Sequence, residues 1–161
     1  MSETIVVRVH PNDPFARIAV KHVLDKSHNR RFKSEVLDFY RNGYSEVVNN
    51  LNGLDDVLFL VAVCDDVPVG MSSCLLLNSQ KRIRHSLTVV SDASRKSGIG
   101  KKLLASKINF LTCYYPHLSI RSYVNKANEG GVRLCNSVGL RVIKSGSKDG
   151  LRKVEYYIYG V

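Results

Sequence analysis

The sequence predicts a mixed α/β domain, an α+β fold built on a mixed sheet, and three observations predict it. Apolar residues change period along the chain, from helical spacing near the N-terminus to the alternation and short continuous runs of strands from Val57 onward. Turn-forming clusters punctuate those runs at short intervals. A strand, a loop with two glycines and a helix then follow one another across residues 87–114, a join typical of mixed α/β architecture.

The elements follow in order. Ile5 to Val9 reads as a strand, stopped by Pro11-Asn12-Asp13-Pro14. Phe15, Ile18, Ala19 and Val23 recur at helical spacing, so a helix is expected to about Ser27, with Asn12 or Asp13 as its cap and Pro14 in its first turn. A second helix is expected from about Lys33 to Leu51, with Val36, Leu37, Tyr40, Val47 and Val48 on its apolar side and Asn52-Gly53 ending it. Val57 to Cys64 is a strand, Asp65-Asp66-Val67-Pro68 turns it, and Val69 to Leu77 returns as its hairpin partner. After the turn Asn78-Ser79-Gln80-Lys81, Arg82 to Val90 is a further strand.

A helix from about Gly98 to Tyr114 follows. Its apolar positions Ile99, Leu103, Leu104, Ile108 and Leu111 put the lysines elsewhere, on the surface. Leu118 to Val124 is a strand, and Glu129 to Val138 a helix closed by Gly139. Leu140 to Lys144 and Val154 to Tyr159 are two last strands.

Composition sets the outer bounds. The 161 residues, with no repeat, low-complexity tract or Gly/Ser linker, are expected to form one domain over residues 1–161. A hydrophobic fraction of 44% and a charged fraction of 24% argue against global disorder. No stretch approaches the roughly 20 apolar residues that cross a bilayer. The segment Met1 to Arg8 lacks the layout of a signal peptide. A soluble, cytoplasmic protein without membrane contact is the expectation. Cys64, Cys74, Cys113 and Cys135 form no Cys-x-x-Cys pair and have no histidine at zinc-ligand spacing, so reduced thiols and no metal are expected.

The formal charge of +10 is unevenly spread: residues 1–66 hold eight Lys/Arg against ten Asp/Glu, residues 67–161 sixteen against four. Such a field draws polyanions, whether nucleic acid, an anionic membrane or a phosphate-rich cofactor.

The richest segment is Leu87-Thr88-Val89-Val90-Ser91-Asp92-Ala93-Ser94-Arg95-Lys96-Ser97-Gly98-Ile99-Gly100-Lys101-Lys102. Unpaired N–H groups at a helix start, with the helix dipole, make a phosphate site, and glycines let the main chain approach the anion closely. Arg95 and Lys101 or Lys102 add charge-assisted contacts. A P-loop is excluded, because position 95 is Arg and Lys102 follows Gly100-Lys101; the dinucleotide fingerprint fails at Leu103.

Arg95-x-x-Gly98-x-Gly100 between an apolar strand and an apolar helix resembles the acetyl-CoA pyrophosphate loop of the GNAT superfamily of acyl-CoA N-acyltransferases. A second block, Asn128 to Leu140, is similar to that family's Asn-x-x-Ala-x-x-Leu-Tyr-x-x-x-Gly-Phe helix, matching at Asn128, Leu134 and Gly139. The resemblance implies a central, mostly antiparallel sheet with a bulged, splayed strand pair and flanking helices. It implies acetyl-CoA as cosubstrate and an amine acceptor attacked directly. It also implies cofactor contacts at Val89, Val90, Arg95, Lys96, Ser97, Gly98, Ile99, Gly100, Lys101 and Asn128.

Two positions depart from the family. Cys135 stands where the family often has the tyrosine that protonates the leaving thiolate. A free thiol ordinarily titrates near about 8.5, a phenol near about 10, so cysteine is suited to that role near neutral pH, and equally suited to packing. Arg84 and Ser86 stand where the family commonly has a Glu or His base, and alternation puts His85 on the opposite face. Tyr114, Tyr115, Tyr123 and His117 are the other hydroxyl and imidazole groups in reach of that half of the chain. The acceptor is left open among small-molecule, protein and nucleic-acid-linked amines, tRNA included, the last through the basic half. A homodimer is left open as well. The alternative is a catalytically degenerate GNAT domain that binds CoA or a partner.

Overall fold

The computed structural model describes residues 3–9, 13–25, 57–77, 82–95, 97–148 and 154–160. The elements are β1 (Thr4–Arg8), α1 (Pro14–Asp25), β2 (Val57–Cys64), β3 (Val67–Leu77), β4 (Arg82–Val90), a 3-10 turn at Asp92–Ser94, α2 (Ile99–Tyr114), β5 (Arg121–Asn125), α3 (Glu129–Ser137), β6 (Arg141–Lys148) and β7 (Val154–Gly160). The helix expected over residues 33–51, its Asn52-Gly53 stop and the turn at 78–81 lie outside the described residues.

Two antiparallel sheets result, ordered β1-β2-β3-β4 and β5-β7-β6. β4 and β5 lie against each other yet belong to different sheets, so no ladder joins them and the strand pair is open between them. β4 is also irregular: Ser73 pairs Leu87 while Leu75 pairs Arg84, so two steps along β3 answer three along β4. The extra residue is a bulge, placed just before Leu87, the kind of irregularity that bends the strand carrying it.

Local chemistry explains the joins. Asp13 Oδ1 accepts the Phe15 N–H at 2.8 Å, capping α1 with Pro14 in its first turn. Asp65 and Asp66 take φ of 49° and 62°, a two-residue hairpin in the left-handed region that Asp tolerates, so β3 begins at Val67 and the turn is shorter than its sequence suggests. β5 starts at Arg121, three residues later than expected. Leu118 is buried, but as part of a turn in which its N–H bonds the Tyr115 carbonyl at 3.0 Å.

Helices cover both faces of the first sheet. Ala16, Ala19 and Val23 of α1 pack on Phe59, Val61 and Met71. Ile18, expected on that stripe, is 61% exposed, because the alanines carry the contact face. On the other face Ile99, Leu103 and Leu111 of α2 pack on Leu58, Leu60, Cys74 and Leu76. The fit is close at Gly70, where a Cβ would stand 2.9 Å from Leu103 Cδ1 and 3.1 Å from the Val89 carbonyl oxygen. A third cluster of Leu104, Val124, Cys135, Leu140 and Tyr159 ties α2 to β5, α3 and β7. The surface assignment of the α2 lysines holds for Lys101 and Lys102 but not for Lys107, which is only 2% exposed. Lys107 lies four residues after Leu103 and four before Leu111, in the middle of the core stripe.

Candidate functional site

The candidate site is built where β4 ends and α2 begins. Val89 packs toward α1 and Val90 toward α2, and the Ser91 N–H bonds the Val69 carbonyl at 2.9 Å, closing the sheet beneath the loop. The 3-10 turn brings the chain round, and Arg95 folds back: its Nε is 3.1 Å from Asp92 Oδ1 and 3.4 Å from the Val90 carbonyl. Ser97 Oγ donates to the Ser94 carbonyl. Gly98 is the N-cap of α2 at φ 82°, the left-handed conformation that favours glycine.

No side chain caps α2 and no acid lies in its first turn. Among the described residues its first internal bond runs from the Lys102 N–H to the Gly98 carbonyl at 2.9 Å, so the N–H groups of Ile99 to Lys101 are the first-turn donors of the helix. Among the described residues, its chain neighbours aside, no atom lies within 4 Å of where a Gly98 Cβ would be, so that side of the helix end is open. Such an end concentrates partial positive charge where an anion can reach it. Lys101 is exposed beside it. Lys102 is turned away and donates to the Thr4 carbonyl. Ile99 is 7% exposed, its side chain committed to the core, which leaves only its backbone to face a ligand. Lys96 lies outside the described residues.

The second block folds as its sequence suggests. Asn128 caps α3, its Oδ1 accepting the Gly131 N–H at 3.0 Å. A Cβ on Gly131 would stand 2.8 Å from Asn128 Nδ2 and 3.1 Å from Val124 Cγ1, so glycine in place of the family's alanine lets the cap sit against the helix. At the other end the Leu140 N–H bonds the Cys135 carbonyl and the Gly139 N–H the Asn136 carbonyl, each at 3.2 Å. This Schellman arrangement, with Gly139 at φ 82°, fixes the last turn, which carries Cys135.

Cys135 is 3% exposed. Burial pushes its thiol above the ordinary range, against the opposing pull of the Lys107 ammonium and a hydrogen bond with Ser122. Lys107 itself is pushed down to about 8 by burial, with Cys74 and Cys135 acting the other way. Cys74, buried on β3, is pushed up to about 11 by the same desolvation. The structure therefore brings Cys135 to a buried lysine that a count of apolar residues alone leaves on the surface. A signal existed: 99, 103, 107 and 111 form one line four residues apart, and its third member is a lysine.

The side chains of Arg84, His85 and Ser86 lie outside the described residues. Tyr114 and Tyr123 are 69% and 57% exposed, and Tyr115 and His117 stack with each other at 6.3 Å. Arg121 and Arg141 are exposed on either side of Gly160, to which both are register partners. A cavity of about 330 Å³ lined by Leu111, Tyr115, Leu118, Arg121 and Ile143 lies at the far end of α2 from Gly98. Among the described residues no group of three or more His, Cys, Asp or Glu gathers as a metal site, and no helix is long and apolar enough to cross a membrane.

No family model matches the sequence, and comparison with curated proteins gives no match. Solved structures do match. The chain is similar to the ribosomal-protein-S18-alanine N-acetyltransferase from Escherichia coli, at TM-score 0.69 and 11% identity over 99% of this chain and 93% of that one. It is similar to a GNAT-family acetyltransferase from Streptococcus pneumoniae, at 0.68 and 15% over 99% of each. It is similar to the PaiA N-acetyltransferase from Thermoplasma acidophilum, a structure in complex with coenzyme A, at 0.67 and 16% over 98% of each. The fold is that of the GNAT N-acetyltransferases.

Proposed function

We propose that the protein is an N-acetyltransferase that moves the acetyl group of acetyl-CoA to an amine by direct attack, without a covalent enzyme intermediate. The observation that carries this reading is the open, uncapped start of α2 behind Gly98, at the end of a bulged strand that parts from its neighbour in a GNAT fold. The residues present fit CoA: first-turn backbone donors, no acid in the first turn, and, among the described residues, space in front of Gly98.

The N–H groups of Gly98, Ile99, Gly100 and Lys101 hold the pyrophosphate, with Ser97 at its edge, and Lys96 is the further cation that the loop's sequence supplies. Arg95 leaves Asp92 and the Val90 carbonyl to reach the same oxygens, exchanging one charged partner for another. Main-chain groups of Val89 and Val90, on the open side of β4, pair with the pantetheine arm, and an N–H near Val90 polarises the thioester carbonyl. Asn128 keeps its Oδ1 on Gly131 and offers Nδ2 to the pantetheine end. Cys135 supplies the proton for the departing sulfur.

The test is thermal melting with and without millimolar acetyl-CoA. Ligand at 100 times its dissociation constant stabilises by about 2.7 kcal/mol, a clear shift. An unshifted melt defeats the reading. CoA release with an amine panel then separates a working transferase from a domain that binds and does not turn over. A nucleic-acid-linked amine is the acceptor class favoured by the exposed arginines Arg121 and Arg141, with Lys144 exposed on the same strand as Arg141.

A further inference from the structure

Acetyl transfer breaks the C–S bond of the thioester and forms a C–N bond. Sulfur departs with the electron pair and needs a proton. Cys135, placed for this on the N-acetyltransferase reading above, is a reluctant donor alone, because burial holds its proton on. What stands behind it is unusual: a lysine buried at 2% exposure in the middle of the apolar stripe of α2.

The surroundings of Lys107 form a polar band across the core. Gly70 meets Leu103 and Ile99 of α2, and Cys74 packs in the same cluster as Leu103. Ser72, midway between them on β3, therefore points the same way, fully buried and bonded to Thr88 Oγ1 of β4 at 2.8 Å. On the other side Cys135 of α3 packs with Leu104, one turn before Lys107, and its thiol bonds Ser122 of β5. Hydroxyls of the first sheet, the ammonium of α2 and the thiol of α3 thus belong to one stretch of core, where Lys107 interacts with both Cys74 and Cys135. A methionine at position 107 would fill the stripe without burying a charge, so packing does not account for lysine there.

We propose that Lys107 is the proton source for the leaving thiolate, acting through the Cys135 thiol beside it. Cys135 passes its S–H proton to the departing sulfur, and the Cys135 thiolate takes a proton from the Lys107 ammonium. Neutral Lys107 recovers a proton from water, into which the attacking amine has released one. Protons and charge balance, and no oxidant or reductant enters. Among the described residues, the titratable groups facing this pair are Cys74 on β3 and, next to Cys135, Tyr159 on β7. Cys74 at about 11 stays protonated, so the Lys107 ammonium at about 8 is the strongest acid of the set.

The experiment measures CoA release from saturating acetyl-CoA, with the best amine of a panel, for wild type, Lys107→Met and Lys107→Arg from pH 6 to 10. Rates are read as the ratio of variant to wild type, which cancels ionisation of the acceptor. The expected ratio for Lys107→Met is about 10⁻² at pH 7, rising toward unity above pH 9 as wild-type Lys107 loses its own proton. The melting shift with acetyl-CoA stays unchanged. Lys107→Arg, which keeps a charge but gives up no proton, tracks Lys107→Met. A ratio near one at every pH, a low ratio that does not change with pH, or full activity in Lys107→Arg overturns the proposal. Absence of an acetyl-CoA melting shift in wild type, by contrast, overturns the transferase reading itself.

Discussion

Replacing Lys107 by methionine leaves an unbranched side chain one atom shorter and removes its charge, and the burial of Lys107 sets the sign of the result. Burial lowers the Lys107 value from 10.5 to about 8. The folded state therefore binds the proton less tightly than the unfolded one. Above pH 10.5 neither state holds it and no penalty exists. As pH falls, the unfolded chain is protonated first, and the penalty grows until the folded lysine is protonated too, near pH 8. Below that it is constant.

The fall from 10.5 to about 8, at about 1.36 kcal/mol per pH unit, corresponds to a penalty on the order of 3 kcal/mol. Hydrogen bonds lost with the ammonium offset part of this, so the variant should be more stable than wild type by about 1–3 kcal/mol at pH 7. For a chain of 161 residues that corresponds to a melting increase of roughly 2–10 °C. Denaturant titrations of both proteins at pH 7, 8, 9 and 10 measure the gap. It should be widest and flat at and below pH 8 and shrink toward zero as pH approaches 10.5. A methionine variant less stable than wild type at pH 7, or a gap equal at pH 7 and pH 10, refutes the reasoning. A more stable and slower variant is the trade expected when a side chain is kept for chemistry at the cost of packing.

Gly98→Asp should abolish the acetyl-CoA melting shift while leaving the unliganded melt within a few degrees. The new carboxylate points into open space at the start of α2, where it repels phosphate and is favoured by the helix dipole, which offsets part of the strain of a non-glycine residue at φ 82°. Cys135→Ala should lower CoA release by about 10²-fold with acetyl-CoA binding unchanged, and wild-type turnover at every pH from 6 to 9 would return Cys135 to packing. If the acceptor is carried on nucleic acid, tRNA binding should weaken linearly in log–log against salt, and Arg121→Ala with Arg141→Ala should flatten that slope. Binding absent at low salt would leave the basic half as a cofactor-attracting surface.

What the sequence reveals divides along the difference between contiguous and convergent structure. The loop from Val90 to Lys101 is one stretch of chain, and its properties are local: glycines where the backbone must turn, no acid in the first turn, an apolar helix behind. Each is legible residue by residue, and the structure places Gly98 at the cap as the motif implies. Strand and helix types follow from period for the same reason. Errors enter where burial depends on remote neighbours. Leu118 looks like the start of a strand because apolar character cannot distinguish a buried turn from a buried strand. Ile18 looks like core because it outweighs the alanines that make the contact. Lys107 is the sharpest case. A period reading counts apolar residues and passes over a lysine, although its spacing from Leu103 and Leu111 leaves it no other side of the helix. Only when Cys74, 33 positions before it, and Cys135, 28 after it, converge does the charge acquire neighbours with protons to exchange. A phosphate cradle needs one loop and a helix end, so it is written in a single segment. A path for a proton needs groups from β3, α2, α3 and β5 within reach of one another, and it exists only once the chain has folded.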